Sequence, residues 1–185
     1  SVDYNGAFDV TYTAKDPEGG KATQTVSYEL KSVNDKPTLK GFTSQKITEG
    51  GRFKSIPLLD KVSDVDHSTR SIKWDFKGNK DLKISIDKKK NFIVKTPSKE
   101  WSGSETITLT AKDPEGGKAA IKLNYTATEV NDLPILKGLK GQSIKEGSSF
   151  AKIKLDDVVS DADHKDKELK WSISGGKGLK AQLSG

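Results

Sequence analysis

The sequence predicts an all-β chain of tandem antiparallel β-sandwiches, on three observations. The first is an internal repeat. AKDPEGGKA stands at 14–22 and again at 111–119, VND at 33–35 and at 130–132, and DVDH at 64–67 is answered by DADH at 161–164. Trp74 is answered by Trp171 and Glu49 by Glu146, and every pair is 97 residues apart. A constant offset without insertions is the mark of copies of one module whose length its fold sets. The second observation is alternation with period two, such as Ile72, Trp74 and Phe76, or Ile107, Leu109 and Ala111, which describes strands with one face buried. The third is the absence of Cys, which leaves only packing to hold small cores.

The elements follow in order along the complete copy. Strand A is expected near 42–48, B near 53–59, C at 70–76, D at 81–86, E at 91–95, F at 105–112 and G at 118–128. FKGNKD, DKKKN, TPSKEWSG and DPEGG punctuate them as turns or short loops. About seven short strands in 97 residues, with a tryptophan in the middle of the third, match an immunoglobulin-like sandwich without its Cys pair. The VND boundary then divides the chain into residues 1–34, the C-terminal part of a preceding repeat, 35–131, a complete repeat, and 132–185, the N-terminal part of a following one. Ser1 aligns with Ser98 and Gly185 with Lys88, so the terminal pieces together lack only the equivalents of residues 89–97. They are expected to be unable to fold alone and to be capable of joining head to tail between molecules.

Composition excludes several classes. Charged residues make up 31% of the chain and hydrophobic ones 32%, which suits thin sandwiches rather than one bulky core. No window has the length of apolar sequence a membrane span needs, so no membrane insertion of this segment is expected. The net charge of +6 does not read as a nucleic-acid surface, because the basic residues are not interleaved with aromatics and Lys73, Lys83 and Lys122 alternate outward on strands, where they keep edges soluble. An enzyme is not expected, since no nucleophile, base and orienting group recur together and no Gly-rich phosphate loop is present.

The acidic residues carry the functional reading. Asp64 and Asp66 in the B–C loop, Asp113 and Glu115 in the F–G turn, and Asn34 and Asp35 at the chain's entrance are expected at one end of the sandwich. Carboxylates so placed repel, and a hard divalent cation with oxygen ligands relieves them; the composition is that of a Ca2+ site. Glu49 and Glu100 are expected at the exit end, with Asn131, Asp132, Asp161 and Asp163 of the next repeat, while Asp3 takes the place of Glu100 at the first junction. The same residues have plainer readings: DPEGG is a good turn without any metal, and His67 and His164 read as solvated neighbours of acidic loops. Trp74 and Trp171 read as core residues, and Trp101 as a packing or ligand-contacting residue.

The runs GSETITLTAKDPEGGKA and VNDLP, preceded by YNGAFDVTYTAKDPEGGKA and VNDKP, resemble the cadherin-like, Ig-like tandem repeats of large bacterial surface and secreted proteins. The resemblance spans the chain. It implies calcium between modules, with the acidic motif after the first strand matching Glu49 and Glu146 and the D-x-D motif matching Asp64 with Asp66 and Asp161 with Asp163. It matches the A-x-D motif to Ala14–Asp16 and Ala111–Asp113, and the linker Asn-Asp to Asn34 with Asp35 and Asn131 with Asp132. The Leu-Asp-Arg-Glu stretch of animal cadherins is missing, and only Asp3 or Glu100 stands in its neighbourhood. The implied role is a calcium-stiffened structural or adhesive repeat, extracellular or on a bacterial cell surface, whose partners are neighbouring repeats and an unknown surface protein or glycan. The alternative is a carbohydrate- or protein-binding sandwich using the loops around Trp101.

Overall fold

Alternating segments pair where the chain can turn back on itself. In the computed structural model, which describes residues 5–183, the strands in chain order are β1 (Gly6–Lys15), β2 (Lys21–Leu30), β3 (Thr38–Leu39), β4 (Gln45–Thr48), β5 (Ile56–Pro57), β6 (Val62–Ser63), β7 (Lys73–Lys77), β8 (Lys83–Ile86), β9 (Asn91–Lys95), β10 (Gly103–Lys112), β11 (Lys118–Thr128), β12 (Ile135–Leu136) and β13 (Val159–Ser160). Two compact units divide them, Ser1–Thr128 and Glu129–Gly185.

In the first unit, β4, β11, β10 and β7 form one sheet in that order, and β5, β9 and β8 form another, with β3 paired to β6. The long β10–β11 hairpin sets the register, from Gly103 opposite Ala127 to Lys112 opposite Lys118. Its alternation sends Ile107, Leu109, Ala111, Leu123, Tyr125 and Ala127 inward, all of them buried. Leu58, Leu82, Phe92 and Val94 meet them from the other side. Aromatic edges fill the middle: Phe53 meets Tyr125 at 5.0 Å between ring centroids and Phe76 meets Phe92 at 6.0 Å. Each fully buried side chain of this kind contributes about 1.5–3 kcal/mol. Trp74 is half-buried in β7 and packs against both this cluster and a smaller one of Val62, Ile72 and Ala111.

Three strands differ from expectation. Strand A is two pieces, β3 antiparallel to β6 and β4 parallel to β11. Gly41 at φ +68° lies between them and lets the chain bend from one partner to the other. Strand B is only two residues long, because Pro57 has no N–H to extend the ladder and a 3₁₀ turn at Leu58–Asp60 follows, burying Leu58. Strand C starts at Lys73, since Ser71 donates from both its N–H and its hydroxyl to the Ser68 carbonyl and holds the preceding residues in a turn.

The β1–β2 hairpin repeats the β10–β11 register at the offset of 97 residues, with Gly6 opposite Leu30. Its inward positions find no such cover: Val10 is 41% exposed, Tyr12 53%, Tyr28 48% and Leu30 53%. The second unit holds β12 paired with β13 and 3₁₀ turns at Leu155–Val158 and Asp166–Glu168. Ile153 and Trp171, the counterparts of Ile56 in β5 and Trp74 in β7, lie in no strand, and Ile144, Phe150, Ile153 and Ile173 are exposed. A strand needs a neighbour to bond, and the F–G pair these residues would face is not among the described strands of this unit.

Candidate metal centre

The turn after β10 is built around one carboxylate. Asp113, only 1% exposed, accepts the N–H groups of Gly116 at 2.6 Å and Gly117 at 2.9 Å on Oδ1, so the first duty of the DPEGG segment is indeed to make a turn. Its Oδ2 accepts the Asn34 side-chain amide at 3.1 Å across 79 residues of sequence. Burial works against the Asp113 charge, but the Asn34 amide and the Gly116 and Gly117 N–H groups outweigh it and hold the carboxyl below its ordinary range. Gly117 has no freedom to be anything larger: a Cβ there would lie 2.3 Å from Asp113 Oδ2 and 3.1 Å from both Asn34 Nδ2 and Lys36 Cα.

The D-x-D-H loop supplies the rest. Asp64 Oδ1 accepts the N–H groups of Asp66 at 3.1 Å and His67 at 2.9 Å, and Asp66 Oδ2 accepts the Asp35 N–H at 2.7 Å. The Asp64 side chain is fully buried, and its Oδ2 has no hydrogen-bond partner; nor has the buried Oδ1 of Asn34. Asp64, His67 and Asp113 each bring a ligand atom within 4.8 Å of the others. The structure therefore gathers Asn34, Asp35, Asp64, Asp66 and Asp113 at one end of the first unit. Two orphaned oxygens in that cluster are what a cation with oxygen ligands would satisfy, and the donor set fits Ca2+ in chemistry.

His67 departs from the sequence reading. Its ring is 15% exposed, with Nδ1 3.2 Å from Asp64 and Nε2 3.4 Å from Glu115, so it belongs to the cluster rather than to solvent. Its recurrence as His164, directly after the acidic pair in both copies, was the available signal.

The other candidates lie elsewhere. Glu49 follows β4 at the opposite end of the β10–β11 hairpin, its N–H donating to the Thr128 carbonyl at 2.9 Å, and the Gly50 N–H bonds the Lys99 carbonyl beside the exposed Glu100. Asp3 lies outside the described residues. In the second unit Asp161 accepts the N–H groups of Asp163 at 3.0 Å and His164 at 2.8 Å, and Asp163 accepts that of Asp132 at 2.5 Å, reproducing the first loop. Burial opposes the Asp161 charge, and the Asp163 and His164 N–H groups with the His164 ring outweigh it, lowering its pKa. Asn131 donates its side-chain amide to the Asp132 carbonyl, and Glu146 is exposed. Trp101 packs against the main core cluster, and a Cβ on Gly103 would lie 3.1 Å from its ring.

Among the described residues no helix is long and apolar enough to cross a membrane. Of the curated proteins, none matches the chain. Among solved structures it is similar to protocadherin gammaB7 EC3-6 in a cis-dimer structure, at 19% identity over 71% of this chain and 34% of that one, with a TM-score of 0.46. It is also similar to protocadherin gamma B2 extracellular cadherin domains 1-5, at 14% identity over 87% of this chain and 40% of that one, with a TM-score of 0.46. The chain thus spans about a third of the length of the first of these, 34%. The profile of the bacterial Ig domain family, Big_9, matches residues 34–126. With that match over half its length and an all-β sandwich beneath it, the chain belongs to the bacterial Ig domain family, a non-catalytic Ig-like domain.

Proposed function

We propose that the chain is a calcium-stiffened structural or adhesive segment of a bacterial surface or secreted protein, with modules divided at 34/35 and 131/132. The observation that carries this reading is the pair of orphaned buried oxygens, Asp64 Oδ2 and Asn34 Oδ1, beside the Asp113 carboxylate. Asn34, Asp35, Asp64, Asp66 and Asp113 supply the oxygens of the first set; Asn131, Asp132, Asp161 and Asp163 repeat four of them at the offset of 97 residues. Asp3, Glu49, Glu100 and Glu146 remain candidates. An ion shared between linker and loops narrows the angles the linker samples, and it stabilises by linkage once free calcium exceeds the dissociation constant, about 10⁻⁴ to 10⁻³ M for extracellular modules. Calorimetry at millimolar calcium should show uptake, with amide exchange of residues 31–36 slowed, and Asp64→Asn with Asp66→Asn should remove both effects at that junction. Silence in calorimetry and unchanged exchange would leave the acidic loops as solvated turns.

The uncovered faces support a second part of the proposal, head-to-tail association between copies. Val10, Tyr12, Tyr28 and Leu30 stand at the positions of the buried Ile107, Leu109, Tyr125 and Ala127, while Phe150, Ile153 and Ile173 stand at those of Phe53, Ile56 and Phe76. Each half offers what the other lacks, and the contact is heterologous, so it grows chains rather than closed dimers. Light scattering should show mass rising with concentration; a strict monomer at every concentration rejects it.

A further inference from the structure

We propose that the Asp64, His67 and Asp113 cluster takes a zinc-class divalent cation through a mixed nitrogen and oxygen ligand set, in competition with calcium. The inference rests on the calcium reading in placing a cation at this loop cluster, and adds the identity of a second ion. Carboxylate oxygens face both ring nitrogens of His67, Asp64 Oδ1 at 3.2 Å from Nδ1 and Glu115 Oε1 at 3.4 Å from Nε2. A neutral imidazole has one N–H and one lone pair, so it can donate to only one of those carboxylates; a proton or a metal ion on the second nitrogen would satisfy the other. A cation held at Nδ1 does so and leaves Nε2–H to donate to Glu115, the outer carboxylate that commonly orients a metal-bound imidazole.

The spacing suits this. Ligands of one tetrahedral zinc, each about 2.0–2.2 Å from the ion, stand about 3.3–3.6 Å apart, and His67 Nδ1 lies 3.2 Å from Oδ1 of the Asp64 carboxylate, whose other oxygen is the free one. Asp64 offers the oxygen that lacks a partner, its side chain fully buried, and Asn34 offers a second such oxygen beside Asp113. Calcium draws little from an imidazole, whereas a borderline ion gains from it. His67 therefore changes which ion the site prefers, not only how many oxygens it has. His164 gives an internal contrast: it has the same Nδ1 contact to Asp161 at 3.1 Å, but its ring is 47% exposed and no F–G turn accompanies it among the described residues of this unit.

The test uses the full chain, with zinc chloride or calcium chloride as the only added divalent ion. In the His164→Ala variant His67 is the sole imidazole, so its ring nitrogen resonances can be followed without further assignment. Zinc should shift Nδ1 of His67 at one equivalent, and excess calcium should reverse the shift. His67→Ala should weaken zinc uptake by at least about tenfold and calcium uptake by a clearly smaller factor, and His164→Ala should leave the tighter zinc event in place. Zinc uptake that ignores His67→Ala, or a His67 ring unmoved by zinc while calcium still binds, overturns the zinc assignment alone. No uptake of either ion overturns it together with the calcium reading.

Discussion

Replacing Gly117 by alanine tests whether the cluster is packed as described, because the sign of the effect is at stake. Gly117 is not among the glycines at positive φ, so its backbone suits alanine, and such a change ordinarily stabilises by about 0.4–1 kcal/mol by restricting the unfolded chain. Here the new Cβ would lie 2.3 Å from Asp113 Oδ2, against the 3.4–4 Å of ordinary contact. Asp113 cannot swing away freely: Oδ1 is held by two N–H groups and Oδ2 by the Asn34 amide. Neither can the linker yield easily, since Asn34 Nδ2 and Lys36 Cα stand 3.1 Å from the same point. The least disruptive response gives up one charge-assisted hydrogen bond, about 1.5–3 kcal/mol, which exceeds the entropic gain and leaves the variant about 1–2 kcal/mol less stable. A urea melt followed by tryptophan fluorescence should show the midpoint fall with its slope unchanged. Calcium should stabilise the variant less than the parent. A midpoint equal to or above the parent's would refute the packing of Asn34 and Asp113 on this turn.

Three further outcomes follow from single residues. Glu105 accepts the N–H groups of Lys80 at 2.8 Å, Asp81 at 2.7 Å and Leu82 at 3.3 Å, so Glu105→Gln, which turns an amide toward those donors, should destabilise by about 2–4 kcal/mol; a melt matching the parent would remove the carboxylate from the loop. Tyr125 buries a hydroxyl without a partner, and burial pushes its pKa up to about 12, so Tyr125→Phe should stabilise by about 1 kcal/mol, whereas a loss in a thermal melt would mean the hydroxyl is satisfied. Asp87, bonded by the N–H and side-chain amide of Asn91 and by the Lys89 N–H, and Asp113 both have lowered carboxyl pKa values. Their contribution should be complete above the unfolded value of about 3.9 and vanish as pH falls through the lower folded values, and urea midpoints across pH 2–6, roughly, should show Asp87→Asn flattening that acid limb.

The repeat, the two long hairpins and the D-x-D-H turn were legible in the sequence because each rests on local chemistry. The clearest sign is that the turn forms twice with the same bonds, Asp64 to the His67 N–H at 2.9 Å and Asp161 to that of His164 at 2.8 Å, although the described residues of the second unit lack the strands that pack the first. Gln45 and Gln142 likewise each bridge their own chain nine residues on, to Lys54 and Ala151. Period two told which residues of a strand share a face but not which strand lies beside it. Tertiary structure alone therefore decided that strand A divides between β6 and β11, that a tryptophan in β7 touches two clusters, and that Glu105 closes a loop more than twenty residues away. The sandwich plan had already placed the entrance, the B–C loop and the F–G turn at one end; tertiary structure decided the individual contacts made there. Asn34 reaches Asp113, and His67 reaches Glu115, only because the β10–β11 turn and the loop before β7 are carried to the same end of the sandwich, and contacts between distant loops depend on sheet order and register that no local pattern encodes.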